Sequence, residues 1–159
     1  MRIVLAALAG LAFAAAAPAA SALTVEAKIA PKFLEKLETD YGVREADVLT
    51  KALVSKVEAH FARQGAKADH VVVTIEDAKP NRPTFQQVSD TPGLDPIRSI
   101  SLGGAHVTGV AYDALGKEIG SLDYDWYETS LENTVTSTTW TDARWSFDRF
   151  ARRFADKLS

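Results

Sequence analysis

The most regular pattern of apolar positions in the chain lies at its C-terminal end. Ala143, Phe147, Phe150, Ala151, Phe154 and Leu158 fall at i, i+4, i+7, i+8, i+11 and i+15, all within one narrow sector of a helix. Thr139 or Thr141 is placed to cap its start, and Asp142 suits a first turn, where a negative charge meets unpaired N–H groups. A second stripe, Ala46, Leu49, Leu53, Val57 and Phe61, predicts a helix from about Arg44 to Gln64, with Gly65 where a left-handed C-terminal cap belongs. Strict alternation marks Leu23 to Ile29 as a half-buried strand that Pro31 ends. The segment from Phe33 to Tyr41 reads equally as a short helical turn or an extension, and Gly42 closes it. Val71 to Asp77 is rich in β-branched residues and reads as a buried strand.

Val107 to Tyr112 and Ile119 to Tyr127 form the arms of a hairpin across Asp113-Ala114-Leu115-Gly116-Lys117. Asp opens such a turn and Gly takes its positive φ. In the second arm Leu122, Tyr124 and Trp126 share one face, and Ser121, Asp123, Asp125 and Tyr127 share the other. Residues 128–139 are polar and read as loop. Between Lys79 and Gly104 the chain carries Pro80, Pro83, Pro92, Pro96 and three glycines with little periodicity, apart from a possible short strand at Ile97 to Leu102. A structureless stretch of this length in a small domain is often either functional or mobile. The order is strand, helix, strand, long loop, hairpin, helix. It predicts an α+β domain: a mostly antiparallel sheet with two amphipathic helices packed on one face. Strand order stays open, and no internal repeat is visible.

The first 22 of the 159 residues change the expected compartment. Arg2 is followed by an uncharged Ala/Leu/Val/Phe run from Ile3 to Ala17, a helix-breaking Pro18, and the small residues Ala20-Ser21-Ala22. This is the layout of a cleavable secretory signal peptide, which predicts a periplasmic or secreted product after cleavage at about Ala22. The run is shorter than the roughly 20 apolar residues of a membrane span. No second such run follows, so no transmembrane segment is expected in the mature chain, a single domain over 23–159. Cysteine is absent, which excludes disulfides and a lipid-modified N-terminal cysteine and leaves stability to a packed core. Arg2 is the leader's sole charge, so its loss moves the net charge from −3 to −4. That balance argues against nucleic acid as a partner.

Candidate chemistry is sparse. Asp123 and Asp125 leave the same strand face, as paired carboxylates for acid–base work or a hard cation would. The simpler role is a solvated edge hairpin, where charge also deters aggregation. His60, His70 and His106 lack metal-ligand spacing, and His60 fits a packed or hydrogen-bonded side chain. Gly120-Ser121 lacks the flanks of a nucleophile elbow, and Ser101 before Gly103-Gly104 is not a phosphate loop. Neither a catalytic residue nor a metal or cofactor site is expected.

Two surfaces fit binding better. Pro80-Asn81-Arg82-Pro83-Thr84-Phe85 is stiffened by its prolines and would present Arg82 and Phe85 at low entropic cost, with Arg98 further along the loop. Within the fold, Phe85 would instead plug the end of the sheet and Arg82 would pair with Asp77 or Asp90. On the last helix, Trp145, Arg149 and Arg152 sit at i, i+4 and i+7 opposite the apolar stripe, a composition typical of interface hot spots. Their internal alternative is Arg149 stacked on the Trp145 indole under the 128–139 loop.

Gly103-Gly104-Ala105, the turn Tyr112-Asp113 with Gly116, and Trp140-x-Asp142-Ala143 leading into Phe150-Ala151 give the second half a resemblance to small exported proteins of Gram-negative bacteria. The resemblance implies a helix-on-sheet plan and an envelope location, and brings no functional residue with it. The expected function is a non-enzymatic binding or envelope-associated module, with an envelope protein or a second copy of the chain as partner. The alternative is a hydrolase or cation-dependent enzyme using Asp123 and Asp125.

Overall fold

A computed structural model of the chain describes residues 22–135 and 137–159. The expected leader thus lies, but for Ala22, outside the described residues. Strand β1 (Thr24–Ile29) leads into helix α1 (Pro31–Lys36), which continues as a π-turn over Leu37–Tyr41. The ambiguous segment is therefore helical: Pro31 supplies the first-turn position that needs no N–H, and Phe33 and Leu37 reach the core. Helix α2 (Arg44–Gln64) ends at Gly65, whose φ of 65° lets its N–H donate to the Phe61 carbonyl. Then come β2 (His70–Lys79), a short helix α3 (Phe85–Asp90), β3 (Gly104–Tyr112), β4 (Glu118–Tyr127), a 3₁₀ turn at Leu131–Thr134, and α4 (Thr141–Leu158).

The sheet order is β1-β2-β3-β4. β1 runs parallel to β2, and the other two pairings are antiparallel. The parallel pairing requires a crossover, which α1 and α2 supply. Helices α2 and α4 pack on each other; α2 lies against β1, and α4 against β3 and β4. The predicted α+β plan holds, with one sheet face covered by helices.

Val71, Val73, Ile75, Val107 and Ala111 face the helices and are fully buried. They meet Leu49, Leu53, Val57 and Phe61 of α2 and Phe147, Phe150 and Phe154 of α4. Each fully buried large side chain contributes about 1.5–3 kcal/mol. Gly109 sits in the middle of β3 directly under α4, and a Cβ there would stand 2.6 Å from Phe150 Cζ and 2.8 Å from Phe154 Cε1. The two phenyl rings occupy the space that a side chain at this position would fill.

No helix among the described residues covers the opposite face of the sheet. Glu26 and Lys28 on β1, His70, Val72, Thr74 and Glu76 on β2, His106, Thr108 and Val110 on β3, and Ser121, Asp123 and Asp125 on β4 alternate with the core positions.

The first and last stretches of the described residues lie at one end of the molecule. Leu23 borders a cleft with Ala66 and Ala68, and the Lys67 N–H donates to the Leu158 carbonyl. The C-terminal end of β2, the start of β3, the end of β4 and the first turns of α2 and α4 meet at the other.

Three expectations are corrected. The 79–104 segment lies where its composition places it, between the end of β2 at Lys79 and the start of β3 at Gly104, but it is not structureless. It contains α3, closed by a capping box: Gln87 N donates to Thr84 Oγ1 at 3.3 Å and Thr84 N to Gln87 Oε1 at 3.0 Å. Ile97–Leu102 is not a strand. Finally, α4 has no threonine cap; Trp140 stands at the N-cap without a side-chain bond, and Thr141 Oγ1 accepts from the Thr138 N–H instead.

Candidate functional site: a stapled loop end

Between Pro80 and Pro83 the chain bends at Asn81 and Arg82, and this bend carries Asn81 under the loop and against α4. Asn81 and Asp142 are both fully buried. Asn81 Nδ2 donates to Asp142 Oδ2 at 2.5 Å, Gly103 N donates to the same oxygen at 3.1 Å, and Asp142 N donates to Asn81 Oδ1 at 2.9 Å. Asn81 N also donates to the Thr139 carbonyl, and its own carbonyl accepts from Ser101 N. The glycine pair and the Trp140-x-Asp142 segment, distant in sequence, are therefore one interlocked unit. Asp142 Oδ1 is buried without a hydrogen-bond partner, so the carboxylate is held through one oxygen alone.

Arg82 is a second staple. Its guanidinium donates to the carbonyls of Ser137 and Ile97, and to that of Val135 at 2.8 Å. It pairs with neither Asp77 nor Asp90. Asp77 accepts from Lys36 Nζ at 2.8 and 3.0 Å, and that hydrogen bond raises the Lys36 pKa above its usual value. Asp95 caps the turn by accepting from Ile97 N and Arg98 N, and those backbone donors hold its carboxyl below the usual range. Replacing Arg82 by Ala strips three carbonyls of their donor. The expected result is a loss of about 2 kcal/mol and faster cleavage of native protein between residues 91–102 and 131–138. Arg82→Lys does not restore protection, because one ammonium cannot span three acceptors in a fork. Limited proteolysis with mass mapping checks this; equal rates in wild type and Arg82→Ala would refute it.

Around these staples large apolar side chains face outward. Phe85 is 83% exposed, Ile97 77%, Val43 60% and Val135 58%. Phe85 and Val43 border one cleft, and Ile97 and Val135 lie on the two segments that Arg82 joins. The structure overturns the idea that Phe85 plugs the sheet. Arg98 is almost fully exposed, 3.8 Å from Asp95.

On α4, Arg149 does not stack on Trp145. Its guanidinium carbon stands 4.0 Å from the Trp126 ring centroid, and that of Arg153 4.8 Å from the Tyr124 ring. Lys157 Nζ donates to the Ser121 carbonyl. The basic residues at i, i+4 and i+8 thus clasp edge strand β4. Trp145 is 46% exposed, and Arg152 is exposed. Among the described residues no hydrogen bond, ion pair or ring contact joins Arg82, Phe85 and Arg98 directly to Trp145, Arg149 and Arg152. The link between the two sets runs through Asn81 and Asp142. Sequence reasoning missed Val43, Ile97, Val135 and the Asn81–Asp142 pair; isolated apolar residues in a polar loop and a pair 61 positions apart carry no local signal.

Asp123 and Asp125 do share the open face. His106 Nε2 lies 2.7 Å from Asp123 Oδ1, and His106 is Asp125's partner in register. Thr108 Oγ1 donates to Glu76 at 2.8 Å. Among the described residues no group of three or more His, Asp or Glu is arranged to hold a metal ion.

His60 is buried between α2 and α4, with Nε2 3.2 Å from Asp148 Oδ1, and Lys56 Nζ lies 2.8 Å from the same oxygen. The Lys56 hydrogen bond, opposed by partial burial and aided by His60, lowers the Asp148 pKa. Its stabilising effect is therefore complete above the unfolded value of about 3.9 and lost as pH falls through the lower folded value. Asp148→Asn should flatten the acid limb of the melting temperature between about pH 5 and pH 3. The effect stays under about 1 kcal/mol, because the side chain is 42% exposed and screened. An unchanged acid limb in Asp148→Asn melts would assign acid sensitivity to other carboxylates.

No helix among the described residues is long and apolar enough to cross a membrane. No protein-family model and no curated protein sequence matches the chain. Among solved structures it is similar to a minor lipoprotein from Acinetobacter baumannii, over 87% of this chain and 92% of that one, at 12% identity and a TM-score of 0.33, too low to carry residues or function across.

Proposed function

We propose that the protein is an exported, envelope-associated binding module that docks a partner through its stapled loop end and performs no catalysis. One observation carries the reading: Phe85, Ile97, Val43 and Val135 are exposed around a loop end that side-chain hydrogen bonds from Arg82, Thr84 and Gln87 tie together. Apolar side chains displayed on ordered backbone lose little entropy on binding, and large apolar side chains left exposed at one end of a molecule suit an interaction site. Arg98, exposed and only loosely paired with Asp95 at 3.8 Å, supplies a cation beside it, and Trp145 a second aromatic on the neighbouring helix. Export is supported by the leader pattern and by a first strand that begins at Thr24, just past the expected cleavage site. An envelope protein or a second copy of the chain are the candidate partners.

Site-specific photocrosslinking in cells separates docking from random collision. A benzophenone side chain at position 85 or 97 is expected to give one discrete adduct in the envelope fraction. The same probe at Leu115, 94% exposed at the opposite end, is expected to give none. Equal adducts from all three positions, or none from 85 and 97, would overturn the reading. N-terminal sequencing of the same protein checks for a mature start at Leu23.

The close His106–Asp123 contact favours a second reading, a cation-dependent hydrolase. It requires Mg, Ca, Mn or Zn to raise the melting temperature in wild type and not in Asp123→Asn/Asp125→Asn.

A further inference from the structure

A cleft of about 310 Å³ opens at the loop end between β2, α3 and the 94–102 segment. Its walls combine the Tyr41 ring with Leu94, Ile100 and Leu102. Among the described residues Lys79 and Arg82 are the only charged ones lining it, although the chain as a whole has 21 acidic and 18 basic residues. Arg82 spends its donors on backbone carbonyls, so no carboxylate neutralises its charge. Lys79 is exposed and rests 5.3 Å from the Tyr127 ring centroid. Among the described residues no carboxylate lies within ion-pair distance of it. Asp77, two positions earlier on β2, is committed to Lys36 at 2.8 Å. Two positive charges without a carboxylate partner among the described residues, beside an apolar wall, favour a ligand that is itself anionic and partly apolar.

The other clefts differ. The one on the open sheet face holds Glu26, Lys28 and His70, which already pair with one another. The walls of the Lys79 cleft are also fixed in advance. Ser101 Oγ donates to the Pro80 carbonyl at 2.6 Å, Ser99 N to the Asp95 carbonyl at 3.0 Å, and the capping box holds Gln87 at the rim. A cavity at the small end of the organic-ligand range, with its walls ordered, suits a molecule of modest size.

We infer that this cleft binds a small anionic amphiphile, its carboxylate held by Lys79 and its apolar body laid against Leu94, Ile100 and Leu102. Octanoate is the probe. In an amide NMR titration of the mature protein, octanoate is expected to give saturable shifts at Tyr41, Lys79, Gln87 and residues 94–102. Lys79→Gln, with its fold checked by circular dichroism, weakens that binding about tenfold, the scale of one charge-assisted hydrogen bond. Lys117→Gln, in the hairpin turn at the opposite end, does not. Octanol, which has the tail without the charge, and acetate, which has the charge without the tail, both bind at least tenfold more weakly. Phe85→Ser, outside the cleft, retains octanoate binding, which separates this inference from protein docking at the apolar rim. No saturable shift with octanoate, equal affinity for octanol, or an unaffected Lys79→Gln would overturn it.

Discussion

Replacing Asp142 by Ala is expected to cost about 3 kcal/mol and to lower the melting temperature by roughly 10 °C. The carboxylate is fully buried and accepts from Asn81 Nδ2 and Gly103 N. Its removal leaves the Gly103 N–H without an acceptor and Asn81 Nδ2 with just a long bond to the Ser101 carbonyl, at 3.3 Å. A buried donor stripped of its partner keeps the full desolvation cost, about 1–3 kcal/mol for each. The damage should be felt first at the loop end, because this network ties residues 80–103 to the start of α4. Asp142→Asn keeps one acceptor oxygen and is expected to fall between Ala and wild type. Thermal melts and amide exchange at Asn81, Ser101 and Gly103 make the measurement. A shift below 2 °C in Asp142→Ala would mean that the network contributes little and that apolar packing orders the loop.

A comparable loss, about 3 kcal/mol, is expected for Gly109→Val, by the opposite mechanism. Here atoms are added where Phe150 and Phe154 already fill the space. β3 is a central strand bonded on both sides, so it cannot retreat, and α4 must shift or the rings must leave their rotamers. Intrinsic strand propensity favours Val over Gly, which makes the sign of the result decisive. If packing dominates, Gly109→Val destabilises, and the double variant Gly109→Val/Phe150→Ala loses less than the sum of the single losses. Strict additivity would show that the new side chain and the ring do not compete for the same volume.

These effects also mark what a sequence can reveal. The α4 phenylalanines were legible because helical spacing places them on one face regardless of what they touch. So was the shared face of Asp123 and Asp125, which period-two alternation dictates. The α3 capping box Thr84-x-x-Gln87 was local and visible, yet the flanking prolines and glycine masked it. The positions of Arg82 and Arg149 were not legible. An arginine can serve any carbonyl or ring within reach, and its chosen partners lie up to 55 residues away for Arg82 and across the sheet edge for Arg149. The same holds for Asn81 and Asp142, whose pairing depends on two loops closing over one another. Spacing predicts faces; it does not predict which polar groups will meet once those faces have packed.

The meeting of Leu23 and Leu158 beside residues 66–68 has a practical consequence. A tether joined at Leu23 or at Leu158 would sit away from the stapled loop end, so the protein could be anchored from one side while it engages something on the other. A short glycine-rich linker from Ser159 back to Leu23 would close the chain into a ring. The hairpin turn at Leu115 would then serve as a new opening, and the permuted protein would keep its sheet, its helices and its stapled loops, since none of them depends on where the chain is cut.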